Sequence, residues 1–381
     1  MRLICTYCLL LMGSGLLAQP ALQHYGNMQL HGGAQLGLHT NLVNQAPFDQ
    51  NLGLLGFYGS TPLRVSGGFA PGAFDVEIAN DAGVDLDLPI FIANNLNFIS
   101  GDFRTDRTLA DQYIGLLQDG FTVGESDASK VDGFVQGVQQ PAFVFPVGDA
   151  SQLRALTYQA SGTVPVARCA YFREDPTVTT PYGFFNPDLR PRTIEAVGQN
   201  EYWRLEGAVS GTVTISWNPQ SNMAGIATDI SQIVILGWNK SGGRWISLGT
   251  SSVAGDLMNG FAVSEPFVPD DFHVITFGSL SEIEEVASLP NYYVSPNEDG
   301  INDFLQIDEL ADSPNNQLRI YDRRGLLVFT QDNYTDQFNG ISNVDGLVFD
   351  RDAGLPEGVY FYVVRLLDLG TEYQGFLYLR R

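Results

Sequence analysis

The sequence predicts an all-β, multi-domain chain: a degenerate β-solenoid or sandwich, then a β-sandwich, then a C-terminal Ig-like β-sandwich. Three observations carry that prediction. Short runs of aromatic and β-branched residues recur along the chain, as a pleated, half-buried surface favours. Gly, Asn, Asp and Pro interrupt them at short intervals, the residue types that turns demand. Several runs alternate apolar and polar residues, and no helical pattern competes in the last ninety or so residues.

Residues 1–18 have the form of a secretory signal peptide. Arg2 precedes an apolar run from Leu3 to Leu17, and Ala18 is a small residue at a cleavage point before Gln19. A membrane anchor needs about twenty apolar residues, and this run is interrupted at Thr6 and Ser14. Cleavage would remove Cys5 and Cys8 and leave Cys169 as the single cysteine. One cysteine forms no internal disulfide, so packing must supply the stability; a small buried apolar residue is the expected role. No later apolar stretch is long enough to span a membrane.

Residues 19–133 read as short strands with Asn and Gly corners. Examples are Met28-Gln29-Leu30-His31, Leu54-Leu55-Gly56-Phe57-Tyr58, Phe74 to Ile78, Val84 to Leu88, and Phe91-Ile92-Ala93 continuing through Phe98. Their spacing predicts stacked rungs, as in a β-solenoid, with a sandwich of similar length as the alternative. Hairpin dipeptides such as Asn-Gly are scarce here, which favours the rungs.

In residues 134–279 the grain changes. Phe143 to Asp149 leads into Leu153 to Tyr158, and later strands are predicted at Glu201 to Leu205, Gly211 to Trp217, Ile233 to Trp238, Trp245 to Gly249 and His273 to Gly278. These predict a β-sandwich. Residues 280–289, with Glu282, Glu284 and Glu285, read as an acidic linker.

Residues 290–381 form the most informative segment. Gln317 to Tyr321 and Leu326 to Phe329 flank Asp322-Arg323-Arg324-Gly325, the composition of a tight hairpin turn. Leu355-Pro356-Glu357-Gly358 opens a strand at Val359 to Val364, and Tyr373 to Leu379 is the last strand. Six or seven strands in this length predict an Ig-like sandwich.

Four elements of this segment, in order, resemble the type B sorting domain of the Bacteroidetes type IX secretion system, also called the gliding-motility-associated C-terminal domain. They are Ser295 to Asp303, the Ile320 to Gly325 hairpin, Leu355 to Tyr362 and the late Gly375-Phe376. The matching positions are Pro296, Asn297, Asp299, Gly300, Asn302, Asp303, Gly325, Gly358, Tyr360 and Gly375. Where the family often carries Trp-Asp-Gly, this chain has Phe338-Asn339-Gly340, and Phe can fill the same core site. The resemblance implies export to the cell surface or medium, with the secretion machinery and an outer-membrane type B partner protein as partners. Phe143 to Asp149 and the closing Phe277-Gly278 are similar, more loosely, to a module that often precedes such domains; no activity comes with it.

Composition excludes some classes. The formal net charge is −23 and the pI about 4.3, so the surface repels nucleic acid and anionic membranes. No His-Glu-x-x-His, Cys-x-x-Cys, Gly-x-Ser-x-Gly or phosphate-binding Gly-Lys-Ser/Thr motif occurs. His24, His31 and His39 are spaced too widely for an ordinary zinc pair, although stacked rungs would bring them nearer.

Two candidate sites remain. Asn297, Asp299, Asn302 and Asp303 present oxygens around Gly300 and fit either a Ca²⁺ loop or a turn whose side chains bond their own backbone. Trp203, Trp217, Trp238 and Trp245, with Tyr182, Phe184 and Phe185, fit either a sugar-stacking platform or core packing. Asp85 and Asp87 alternate on one strand face and are expected to meet solvent. The expectation is a secreted, non-enzymatic protein with an adhesin-like or matrix role and no required cofactor. The alternative is a polysaccharide-binding or polysaccharide-degrading protein with the same export domain.

Overall fold

A computed structural model describes residues 21–281, 291–308, 310, 313–344, 354–367 and 371–381. The expected signal peptide and positions 282–289 of the expected linker lie outside these residues. The chain divides into two compact units, Met1–Ser281 and Glu282–Arg381. Among the described residues four single-turn 3-10 helices are complete, Asp308 and Leu310 are also in 3-10 conformation, and the other regular structure is strand.

The first unit opens as a two-sheet β-solenoid. One sheet stacks β1 (Ala21–His24), β3 (Asn41–Asn44), β5 (Leu63–Gly67), β7 (Val84–Leu86), β9 (Phe103–Thr105) and β12 (Val131–Asp132). The facing sheet stacks β2 (Gln35–Leu38), β4 (Leu54–Gly59), β6 (Gly72–Asn80), β8 (Ile90–Ser100), β10 (Tyr113–Leu116) and β13 (Phe134–Phe145), with β11 (Phe121–Val123) beside β8. All of these pairings are parallel. Leu22 lies beside Leu42, Leu42 beside Val65, Leu63 beside Val84 and Val84 beside Phe103. Each coil is therefore about twenty residues long, and parallel strands joined by crossovers make a stack, not a sandwich.

Inward residues such as Leu42, Leu55, Val65, Val76, Val84 and Leu96 fill the space between the sheets. At the corners, buried Asn side chains take up backbone groups that leave the ladder. Asn51 accepts from Leu30 N (2.7 Å) and donates to Gly72 O (2.7 Å); Asn44 donates to Phe69 O (2.8 Å). Met28 to His31, expected as a strand, is a loop that this Asn51 bond anchors. Outside, Arg64 pairs with Asp87 (2.9 Å) and Arg104 with Asp85 (2.7 Å), so both aspartates pair across coils.

Residue 134 had been expected to start a separate module. Instead, β13 pairs parallel with β10 on one side and antiparallel with β14 (Leu156–Phe172) on the other, so one sheet runs through the expected boundary. A single apolar core extends from Leu30 to Phe277. On its far side β14 divides between two partners: Leu156 to Ala160 pair with β17 (Gly211–Trp217), and Ala167 to Phe172 with β16 (Tyr202–Gly207). That divergence opens the sandwich. One branch continues from β16 to β22 (Phe272–Leu280), β18 (Ile233–Asn239) and β19 (Arg244–Ser247), with β15 (Ile194–Val197) on β22. The other adds β21 (Gly260–Val263) and β20 (Ser252–Gly255) to β17.

The strands β16, β18 and β22 are covered on both faces, by the main core and by a second cluster containing Phe185, Ile194 and Trp245. Double coverage explains the unbroken apolar run Ile233 to Leu236, all four residues buried. Inside this sandwich Arg154 makes a two-point ion pair with Glu201, at 3.0 and 2.6 Å.

The second unit is a small sandwich-like domain with one five-stranded sheet among the described residues, against six or seven strands expected. Its order is β23 (Tyr292–Val294), β27 (Thr371–Leu379), β26 (Gly358–Leu366), β24 (Asn316–Tyr321), β25 (Leu327–Asp332). The buried residues Tyr360, Tyr362, Val364 and Leu366 alternate along β26 and face Leu305, Ile307, Tyr334 and Phe338 from the connecting segments. Phe338 is fully buried against Phe329, ring centres 5.0 Å apart, and so occupies a core site as expected. The outermost strand β25 is capped at Thr330, which exchanges two hydrogen bonds with the Asn343 side chain. Such a cap blunts an edge that would otherwise pair with another chain.

Candidate functional site

Strand register in the second unit gathers the sequence motifs at one end of the sheet. Val294 and Gly358 both lie beside or opposite Leu379, and Tyr321 opposite Phe361. The loop leaving Val294, the turn leaving Tyr321, the segment entering Gly358 and the C-terminal Arg380-Arg381 therefore emerge together. Pro296, Asn297, Asp299, Gly300, Asn302 and Asp303 share the first of these; Gly325 lies in the second; Gly358 and Tyr360 follow the third. Gly375 stands apart, in mid-strand opposite Tyr362.

Asp303 organises the first loop. Its Oδ1 accepts from the backbone N–H of Asn297 (3.0 Å) and Glu298 (2.8 Å), and its Oδ2 from Gly300 N (2.8 Å). Those backbone donors hold its carboxyl below the usual range. Asp299 Oδ1 accepts from Ile301 N (2.8 Å) and its Oδ2 from Asn297 Nδ2 (2.7 Å). Every carboxylate oxygen of the two residues thus already accepts a bond from the loop. Asn302 contributes its carbonyl, which accepts from Ser295 N (2.8 Å).

In the hairpin turn Asp322 Oδ1 accepts from Arg324 N (2.8 Å) and Leu326 N (2.9 Å), and Gly325 has φ +81°, a conformation that glycine adopts without a Cβ penalty. Tyr360 is buried and donates its hydroxyl to Pro356 O (2.7 Å), fixing the entry to β26. Gly375 makes room for a ring: a Cβ there would come within 2.5 Å of the Tyr362 hydroxyl. Between the hairpin turn and the Leu355 to Tyr360 segment lies a cleft of about 450 Å³. Sequence reading had named both of its walls but not their adjacency, since Gly325 and Leu355 are far apart in the chain.

The first unit resolves the remaining candidates. Trp203, Trp217, Trp238 and Trp245 are all buried, at most 8 % exposed, as is Phe185. They are core side chains, so the expected alternative of a tryptophan stacking platform is corrected. Tyr182 is covered by the Arg204 guanidinium, 4.1 Å above its ring, while Phe184 is exposed. The solenoid separates the three histidines by role: His24 is buried and bonded through Nδ1 to Asn44 Oδ1 (2.6 Å), whereas His31 and His39 are exposed. Among the described residues no group of three or more His, Cys, Asp or Glu is arranged to hold a metal ion. Cys169 is fully buried, and burial pushes its thiol well above its ordinary value.

The identity of the second unit comes from comparison with known families. Residues 287–379 match the family model of the CHU_C Type IX secretion signal domain. The chain therefore carries an address that implies interaction with the type IX secretion machinery and export to the cell surface or the extracellular space. Comparison with curated proteins and with solved structures gave no match. Among the described residues no helix is long and apolar enough to cross a membrane.

Proposed function

We propose that the first unit is the exported cargo and acts as a non-enzymatic, adhesin-like or matrix element, with the second unit as its address. The observation that carries this reading is the continuous core from Leu30 to Phe277, which locks solenoid and sandwich into one body. A rod of stacked coils fused to a sandwich presents long lateral faces, and the outer faces here are tied by short cross-coil pairs such as Arg104–Asp85 and Asn97–Glu77 (2.7 Å). Such a body holds its shape without a disulfide. The outer-membrane type B partner belongs to this reading as the receiver of the address, and no metal is required by it; the Asn297 to Asp303 loop is stabilised by its own backbone.

One observation favours a second reading, glycan binding. The solenoid carries half-buried aromatic rings of its own: Phe91 meets Tyr113 edge to face at 6.0 Å, and because Tyr113 packs on the second cluster with Arg168 5.0 Å over its ring, Phe91 is the ring left to a ligand. Rings of this kind stack on sugars.

Two experiments test these readings. Deleting residues 290–381 should retain the protein inside the producing cell; arrival of the truncated chain at the surface or in the medium would refute the address. A glycan array with degradation assays on plant and algal polysaccharides should return neither specific binding nor cleavage. Specific binding lost on Phe91→Ala would establish the second reading instead.

A further inference from the structure

We infer that the cleft between the Asp322–Gly325 turn and the Leu355–Tyr360 segment is the recognition site of the export domain, and that it takes a carboxylate-bearing, partly apolar peptide segment of the partner. The inference rests on the export reading of this unit and adds to it a location and a chemistry. The cleft's apolar lining is Val328, Leu355, Pro356 and Tyr360, and Arg323 and Arg324 stand exposed at its mouth. Its two acidic side chains are already engaged. Asp322 caps its own turn through Arg324 N and Leu326 N, and Glu357 accepts the Tyr378 hydroxyl at 2.9 Å.

The two guanidiniums, in contrast, enter no ion pair with the described residues. In a chain of net charge −23, two adjacent exposed arginines with no ion pair among the described residues stand beside an apolar recess. Elsewhere in the same sheet Arg365 is matched by Glu372 at 2.6 Å. An arginine fork selects a carboxylate or phosphate by two-point hydrogen bonding. The apolar recess beside it selects an adjoining aliphatic or aromatic group, which a peptide supplies and a phosphate or a polyanionic glycan does not. The volume, about 450 Å³, accommodates a few side chains, not a domain.

The test is export of the full chain from cells with a type IX machinery, comparing R323E/R324E, R323K/R324K, R365E and a chain lacking residues 290–381. The double reversal is expected to lower the exported fraction at least tenfold, while the lysine pair retains half or more and R365E exports normally. Both arginines project from an exposed turn, so the purified double reversal should melt at the wild-type temperature. If it does not fold, R323Q/R324Q decides by the same criterion, with a several-fold loss expected. Normal export of the charge-altered variants while the truncated chain is retained would overturn the cleft and leave the address intact. Export of the truncated chain would overturn the address itself. An equal loss in R365E would show a general charge effect, and passage to the medium with loss of surface retention alone would show an anionic surface polymer as the ligand; either result overturns the inference.

Discussion

Arg154 and Glu201, 47 positions apart, form a two-point ion pair inside the sandwich with both side chains almost completely buried. Neighbouring side chains support the pair. Glu201 Oε2 also accepts the Tyr171 hydroxyl (2.8 Å), Arg154 donates to Ser221 Oγ (2.9 Å), and the guanidinium lies 5.5 Å from the centre of the Trp203 ring. Removing one charge strands the other where water cannot reach it.

Glu201→Ala is accordingly expected to destabilise the first unit by about 3–5 kcal/mol, whereas a well-packed apolar replacement of both partners would be much closer to neutral. All four tryptophans lie in the first unit, so denaturant unfolding followed by tryptophan fluorescence reads it selectively. A loss below 1 kcal/mol for Glu201→Ala would contradict the buried pairing.

In the second unit, Gly375→Val drives side-chain atoms into the Tyr362 ring that crosses that position. Overpacking of this kind costs about 1–3 kcal/mol. A lowered melting temperature and reduced export are expected, with the same change at the solvent-facing Gly325 acting through backbone conformation instead.

The Asp303 loop sets an acid dependence. Its carboxyl is held below its ordinary value in the folded protein, chiefly by the Gly300 N–H and then by burial-opposed bonds from Glu298 and Asn297. The unfolded chain therefore binds this proton more readily, and folding stability rises with pH through the carboxylate range. The contribution is complete above the unfolded value and is lost as pH falls through the lower folded one. Asp303→Asn should flatten the acid limb of the loop's amide-exchange protection, read for residues 295–303 by mass spectrometry. Millimolar Ca²⁺ should leave that protection unchanged; an increase would mean that Asp299 and Asp303 turn from their backbone donors to a cation.

Cys169 sits mid-strand, opposite Val135 and Leu205, with no exposed surface. A thiol reagent at neutral pH should leave Cys169 of the native protein unlabelled and modify it once denaturant is added. Rapid native labelling would show that the sandwich opens readily.

Much of the fold was legible locally. The Asp322–Gly325 turn, the strand after Leu355-Pro356-Glu357-Gly358 and the rungs around Leu55, Val76 and Leu96 follow from turn chemistry and side-chain alternation, both short-range. The long strand β14 was less legible, because Gly162 and Pro165 interrupt its pattern while its pairing with β13 continues around them through a shift in register. The boundary expected at residue 134 failed for a related reason: a change of sequence texture marks a change of connection, from crossover to antiparallel return, and need not mark a break in the sheet.

The sequence by itself determined an all-β chain, its turns, and a C-terminal export address, since each depends on residue types within a few positions. Tertiary structure decided which of two faces a ring occupies, and it put all four tryptophans inside. It also decided which distant segments meet, pairing Arg154 with Glu201 and setting Arg323 and Arg324 against Leu355 and Tyr360. Alternation fixes that successive side chains point opposite ways; only the packing of the second layer fixes which of those directions is the interior.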